Sequence, residues 1–292
     1  MSTDGRPDSP FGTEVLKEVH LDRAPLLRVI AQVRWDPLSR LQGNKFSPIA
    51  EQFGDDLSEQ YPIVKSEPSL TFSLGPAGAA ALPGETVLKL YSDDGAWEVS
   101  LTSTFLTVTG LTYSSRSDIC ARLRSAVDKL TDQGLKLPVQ RLGFRYVNRV
   151  DDETDLQALD QMVYPEALGY GPVSPTGLST AKRTQAMTQS SYQIPGTAGV
   201  SQGTQRNLMV RCGRLPPGAG YDPTLPASQK QYWFLDLDAS LDGRSSSLPE
   251  AIEQHVRDLS DVAYRFFRWS VKDSFLSYFE AAEPINPQDA TS

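Results

Sequence analysis

The chain moves between two hydrophobic periods, and the switches mark its elements. From Leu26 to Trp35 (LLRVIAQVRW), Leu27, Val29, Ala31, Val33 and Trp35 alternate with Arg28, Ile30, Gln32 and Arg34, the period of two of a half-buried strand. Ser47-Pro48 then supplies an N-cap and a first-turn proline, and Ile49, Phe53, Leu57 and Tyr61 recur every four residues. This predicts an amphipathic helix ending before Pro62. Strand-like runs follow at Leu70–Leu74, Thr86–Tyr91, Ala96–Thr102 and Phe105–Thr112, with Asp94-Gly95 as a hairpin turn. A second helix is predicted from a cap at Ser117, with Ile119, Leu123, Ala126, Val127 and Leu130 on one face and Gly134 as its stop.

The pattern then restarts. Val139–Val150 (VQRLGFRYVNRV) alternates again, with Leu142, Phe144 and Tyr146 on one face and Arg141, Arg145 and Arg149 on the other. A short helix is predicted around Asp155–Val163, behind the solvated Asp151-Asp152 pair. Strands are predicted at Lys182–Ile194, Arg206–Leu215 and Gln231–Leu241, and a long helix from Ser247 with Pro249 near its start. The order strand-helix-strands-helix thus occurs twice, with a seam near Leu135–Pro138. We expect an α+β fold: a mainly antiparallel sheet with helices on one face, built as an approximate tandem duplication. The same element order is found in the TATA-binding-protein-like saddle, an analogy of fold that carries no function. The expected organisation is a flexible leader over 1–22, one half over 23–135, a second over 136–280, and a flexible tail over 281–292.

Composition narrows the function. The 292 residues are 39% hydrophobic and 22% charged, ordinary globular values, and no apolar run reaches the length of a membrane span. The polar opening MSTDGRPDSPFGTE carries no basic-then-apolar signal, and two cysteines, Cys120 and Cys212, are too few for a disulfide framework. Both point to a cytoplasmic protein with no membrane association. The formal net charge of −8 argues against nucleic acid as a partner, because such binders rely on a basic face.

Candidate chemistry is sparse. The two histidines, His20 and His255, have no partner at ligand spacing, so no metal site is expected. Neither cysteine sits in an activating motif, and the glycine-rich stretches LGPAGAAALPGE and IPGTAGVSQGTQ precede no helix and read as turns. No catalytic residue and no cofactor is assigned. The arginines are the sharper signal. Arg28 and Arg34 share a face of the first strand, Arg141, Arg145 and Arg149 a face of the strand that opens the second half. If these strands are neighbours, they form an arginine patch suited to carboxylate or phosphate recognition. Alternatively, Asp236, Asp238 and Glu98 neutralise it by cross-strand pairing. Asp236 and Asp238, two apart on one strand, share a face and also suit Mg²⁺ binding in a hydrolase or nuclease. Finally, Phe267, Arg268 and Trp269 lie in an aromatic- and arginine-rich segment of the kind that forms partner surfaces.

Several blocks, APLLRVIAQVRW, WEVSLTSTFLTVTGLTYSS, RLGFRYVNRV, FLDLDAS and HVRDLSDVAYRFFRWSV, resemble an uncharacterised, sporadically distributed prokaryotic protein family over most of residues 24–280. The resemblance implies a full-length folded unit, and its patchy occurrence implies a partner-dependent, defence-associated role. The expected function is a non-catalytic binding protein acting through a protein partner, regulatory or antitoxin-like. The alternative is a small anionic ligand, a nucleotide or phosphorylated metabolite, held by the arginine face.

Overall fold

The computed structural model describes residues 6–12, 16–75, 78–113, 115–169, 184–195 and 203–280, and from 68 to 84 the backbone alone. Its elements are β1 (Leu26–Trp35), α1 (Phe46–Leu57), β2 (Ile63–Gly75), β3 (Gly78–Tyr91), β4 (Trp97–Leu101), β5 (Phe105–Gly110), α2 (Arg116–Asp132), β6 (Val139–Val150), α3 (Glu153–Met162), β7 (Ala186–Ile194), β8 (Gln205–Leu215), β9 (Tyr232–Asp242), α4 (Pro249–Ser270) and α5 (Asp273–Glu280). The fold is α+β, with all nine strands in one antiparallel sheet of order β2-β3-β4-β5-β1-β6-β9-β8-β7. Outward from the β1–β6 junction the order is β1, β5, β4, β3, β2 on one side and β6, β9, β8, β7 on the other. The two expected halves therefore share one continuous sheet, joined where Ile30 pairs with Arg145 and Arg34 with Arg141.

Alternation decides which face each side chain takes. Val29, Ala31 and Val33 of β1, Leu142, Phe144 and Tyr146 of β6 and Leu235, Leu237 and Ala239 of β9 all lie in the buried core, together with the apolar stripes of α2 and α4. Helices α2 and α4 pack against each other, α2 on β5 and β1, and α4 on β6 and β9. The opposite parity, Arg28, Arg34, Arg141, Arg145, Asp236 and Asp238, points away from them, as expected.

Local signals account for most boundaries. Asp94-Gly95 turns the β3–β4 hairpin, Gly95 adopting φ +66°, and Gly134, at φ +75°, ends the turn after α2. The cap of α2 is Ser115 rather than Ser117. Ser115 has the extended backbone a cap requires (φ −165°, ψ 161°), and its hydroxyl accepts from the Asp118 amide at 3.1 Å. Ser117 already sits in the first turn and accepts from Arg257 instead. Ser47 likewise falls inside α1, which begins at Phe46. The turn expected in LGPAGAAALPGE belongs to long strands, paired from Ile63↔Tyr91 out to Gly75↔Gly78. Residues 182 and 183 of the strand expected at Lys182–Ile194, and the tail 281–292, lie outside the described residues.

Of the leader expected over 1–22, residues 6–12 and 16–22 are described. In its described part, the Arg6 guanidinium stacks 4.0 Å from the Trp269 ring and 3.8 Å from Tyr164, and Phe11 lies 5.0 Å from Tyr192. The Val19 amide donates to the Tyr264 hydroxyl at 3.0 Å. Its polar composition hides a few well-spaced anchors, Arg6, Phe11 and Val19, that cover apolar surface left open by α4.

Candidate functional site

The β1–β6 pairing brings the predicted arginines together on the helix-free face. Over three of them, Arg28, Arg145 and Arg149, lie residues 216–231, the connection from β8 to β9. Its Tyr221 stacks on Phe234 of β9 with ring centres 4.0 Å apart and an interplanar angle of 13°. Leu215, Tyr232 and Phe234 form a small second core there, with Ala219 and Tyr221 against it. Backbone carbonyls of the same connection receive two of the arginines: Thr224 accepts from Arg28 at 3.1 Å and Pro226 from Arg149 at 2.8 Å.

Beneath this cover sits a four-membered ion cluster. Arg145 grips Asp236 with both arms of its fork, Nε to Oδ1 at 2.8 Å and Nη2 to Oδ2 at 2.7 Å, and Nη2 also reaches Asp222 at 2.7 Å. Arg211, facing Asp236 across the β8–β9 pairing, closes the group at 3.3 Å to Asp236 and 3.8 Å to Asp222. The Asp236 side chain is 0% exposed and the two guanidinium groups are 14% exposed. Two cations and two anions make the cluster neutral. Burial opposes ionisation of Asp222, but hydrogen bonds from the Thr224 hydroxyl and amide, with Arg145 beside it, outweigh that and hold its carboxyl at about 2. Asp238 goes the other way: burial raises its pKa, and Arg141, 3.5 Å off, only partly offsets it. Arg141 also donates to Asp242 at 3.1 Å, and Arg149 pairs with Asp151 at 3.4 Å.

The arginine face is thus assembled, and three of its five arginines, Arg141, Arg145 and Arg149, are paired with carboxylates. Asp236 and Asp238 serve as its salt-bridge partners; Glu98 accepts from Ser100 at 2.6 Å. Arg34 is exposed and makes no ion pair among the described residues. A cavity of about 240 Å³ remains under the connection, but it is walled by Val147, Tyr232 and Phe234, and the charged groups at it, Arg149 and Asp222, are both paired. Among the described residues, no three His, Cys, Asp or Glu side chains are placed to hold a metal ion. Cys120 is fully buried and burial pushes its thiol up to about 12; burial raises Cys212 as well.

Of the partner surface expected at Phe267, Arg268 and Trp269, Phe267 is buried and the other two are half-buried. Phe267 is only 8% exposed, with its ring 5.8 Å from Phe275. Arg268 pairs with Asp273 at 3.2 Å, and Trp269 lies between Phe266 and the Arg6 guanidinium. The segment's apolar mass is spent on the core and on holding the N-terminal strap.

Two groups of residues have no counterpart in the sequence reading. Arg211, Tyr221 and Asp222 complete the ion cluster, and their signal is faint: one strand arginine, and a Tyr-Asp pair in a proline-rich connection. The second group surrounds a cavity of about 270 Å³ on the helix side, under residues 18–25. There the Tyr146 and Tyr113 hydroxyls meet at 2.9 Å, Tyr113 bonds the Glu18 carboxylate, and Arg116 donates to Glu18 at 3.1 Å. Reading residues 1–22 as a leader removed Glu18 from consideration.

Compared with known proteins, the chain matches no family model and no curated sequence. Among the described residues, no helix is long and apolar enough to cross a membrane.

Proposed function

We propose that this chain is a non-catalytic binding protein that acts through a protein partner seated on the helix-free face of its sheet, in a regulatory, antitoxin-like or defence-associated role. The observation that carries this reading is the neutralised face. An anion binder needs guanidinium groups free to pair with the ligand, whereas Arg141, Arg145 and Arg149 already pair with Asp242, Asp236 and Asp151. Across β3, β4, β5 and β1 the row facing away from the helices runs Lys89, Ser100, Thr107 and Gln32, polar throughout, half-buried at Lys89 and Gln32 and buried at Ser100 and Thr107, with Gln32 donating to Thr107 at 3.0 Å. Such a surface suits shape and hydrogen-bond matching to another protein. The resemblance to a family of patchy occurrence supports a partner-dependent role.

The test uses the tagged full-length chain at native abundance in its host. A stoichiometric protein partner should copurify. The double variant Gln32→Arg, Thr109→Arg, with two long cations set in the middle of the open face, should lose it while its melting temperature is unchanged. A chain that stays alone, or a partner retained undiminished by the variant, refutes the proposal. Stabilisation by phosphate or nucleotides that vanishes in Arg145→Ala would replace it with the anionic-ligand reading.

A further inference from the structure

We infer that the cavity beneath residues 18–25 is a binding site for a small, uncharged, mostly apolar molecule that carries a hydrogen-bond donor. It is independent of the partner surface, which lies on the other side of the sheet.

Interiors pack to crystal-like density, and voids much larger than a water molecule are few because their walls forfeit contacts. A cleft of about 270 Å³ on the helix side, half open to solvent, is larger than the roughly 150 Å³ apolar cavity that suffices to bind benzene. It approaches the lower end of small-molecule sites, roughly 300 Å³. Its walls are apolar side chains, Leu21, Leu26 and Phe267, and the rings of Tyr113, Tyr146 and Tyr264.

The polar groups set the chemistry. A carboxylate only accepts, so the single proton of Tyr113 goes to Glu18, and the single proton of Tyr146 then goes to the Tyr113 oxygen. Burial keeps both phenols protonated. Tyr264 accepts from the Val19 amide at 3.0 Å and donates to the Lys17 carbonyl at 3.1 Å. Asn148, also in the wall, spends an amide N–H on the Leu235 carbonyl at 3.0 Å. At the buried end the unused acceptors are the second lone pair of the Tyr146 oxygen and the amide oxygen of Asn148, and they outnumber the one unused donor, the second N–H of Asn148. A ligand that fits brings a donor to them and an apolar body to the rings. A cation is disfavoured, because Glu18 is already neutralised by Arg116. An anion would meet two acceptors, the Tyr146 oxygen and the Asn148 amide oxygen, against a single donor, the second Asn148 N–H.

The strap provides access. It is pinned at one end by the Tyr264 hydrogen bonds. At the other, Arg23 binds Asp155 at 3.0 and 3.1 Å and donates its amide to the Phe279 carbonyl at 2.9 Å. Between these pins stand His20 and Asp22, both more than half exposed. The cleft is already half open to solvent beside this span, so a ligand can enter without disturbing the sheet.

The test compares two ring systems of nearly equal size in the full-length chain, followed by titration calorimetry and thermal shift. Indole carries an N–H donor, and benzofuran carries an acceptor oxygen in its place. Indole should bind saturably and raise the melting temperature, and benzofuran should bind at least about tenfold more weakly, because it leaves acceptor facing acceptor. Tyr146→Phe, which keeps the ring and removes the acceptor, should shrink that ratio. Ala24→Phe, which fills the cavity from the strap, should abolish indole binding. Should Ala24→Phe not fold, the ratio in wild type and in Tyr146→Phe still decides. No saturable indole binding up to its solubility, or equal affinity for the two rings, overturns the inference.

Discussion

Replacing Asp236 with alanine probes the neutral cluster at its anchor. In the wild type, one fully buried carboxylate accepts from Arg145 at 2.8 and 2.7 Å and from Arg211 at 3.3 Å. Removing it leaves two guanidinium groups facing a single remaining anion, Asp222. The cluster passes from neutral to one net positive charge in a place shielded by Tyr221. Breaking a buried pair from one side costs about 3–5 kcal/mol, mostly because the surviving charge has lost its partner. Here the two guanidinium groups keep some contact with water and Asp222 persists, so the lower end applies, about 3 kcal/mol. At about 2–4 °C per kcal/mol for large domains, that is a fall in melting temperature of roughly 6–12 °C.

The same geometry fixes a second measurement. The double variant Arg145→Met, Asp236→Leu removes one charge of each sign and leaves Arg211 with Asp222, so neutrality returns. Urea unfolding of the wild type, both single variants and the pair gives the coupling energy directly. The pair should cost at least about 1 kcal/mol less than the two singles summed. If Asp236→Ala costs under about 1 kcal/mol, or if the singles add without coupling, the four residues do not act as one buried unit.

Three other outcomes follow from individual residues. Asp238 lies two positions from Asp236 on the same face, but burial raises its pKa. Any stability from its protonated form is complete below 3.8 and lost as pH rises through its folded pKa, so Asp238→Asn should leave the melting temperature at pH 7 unchanged or raised. Asp222 is the opposite case: held at about 2 against an ordinary 3.8, it stabilises the fold above pH 3.8, and that contribution is lost as pH falls toward 2. Allowing for water at the rim of the connection, the wild type should lose about 1 kcal/mol more than Asp222→Asn between pH 5 and pH 2, read by urea midpoints. Trp233 is fully buried and its indole N–H donates to the Ala167 carbonyl at 2.9 Å. Trp233→Ala should cost about 3–5 kcal/mol in urea unfolding, and a loss under 1 would mean that the site collapses around the gap.

Alternation made the sheet legible: Leu142, Phe144 and Tyr146 against Arg141 and Arg145 is a period-two pattern that only a half-solvated strand satisfies, and the structure follows it. The arginine cluster was legible for the same reason, since parity fixes a face. Its completion was not. Arg211 and Asp222 meet Arg145 through strand order and through a connection that folds back, and neither leaves a periodic trace. The cavity was hidden for a different reason. Glu18, Tyr113 and Asn148 are far apart in sequence, and each occupies a position that reads as an ordinary surface or strand residue. The capping error at α2 is smaller in kind: Ser115 and Ser117 are both competent caps, and the backbone angle at Ser115 selects between them.

The helix-free face behaves differently on its two sides, and the difference follows from what each strand projects. On β9 and β8, Tyr232, Phe234 and Leu215 point outward. Three large apolar side chains on a solvated face require cover, and Ala219 and Tyr221 of the following connection supply it. On β4, β5 and β1 the residues of that parity, Ser100, Thr107 and Gln32, are polar and bond to their neighbours, and Ser100 and Thr107 are only 8% and 9% exposed; polar groups satisfied in this way need no apolar cover. The same split locates the ion cluster, because Arg145 and Asp236 can be buried only where the connection passes over them. A partner approaching this face would therefore meet one half closed by the connection and one polar half over β3, β4, β5 and β1, whose solvent-accessible side chains would be its hydrogen-bond partners.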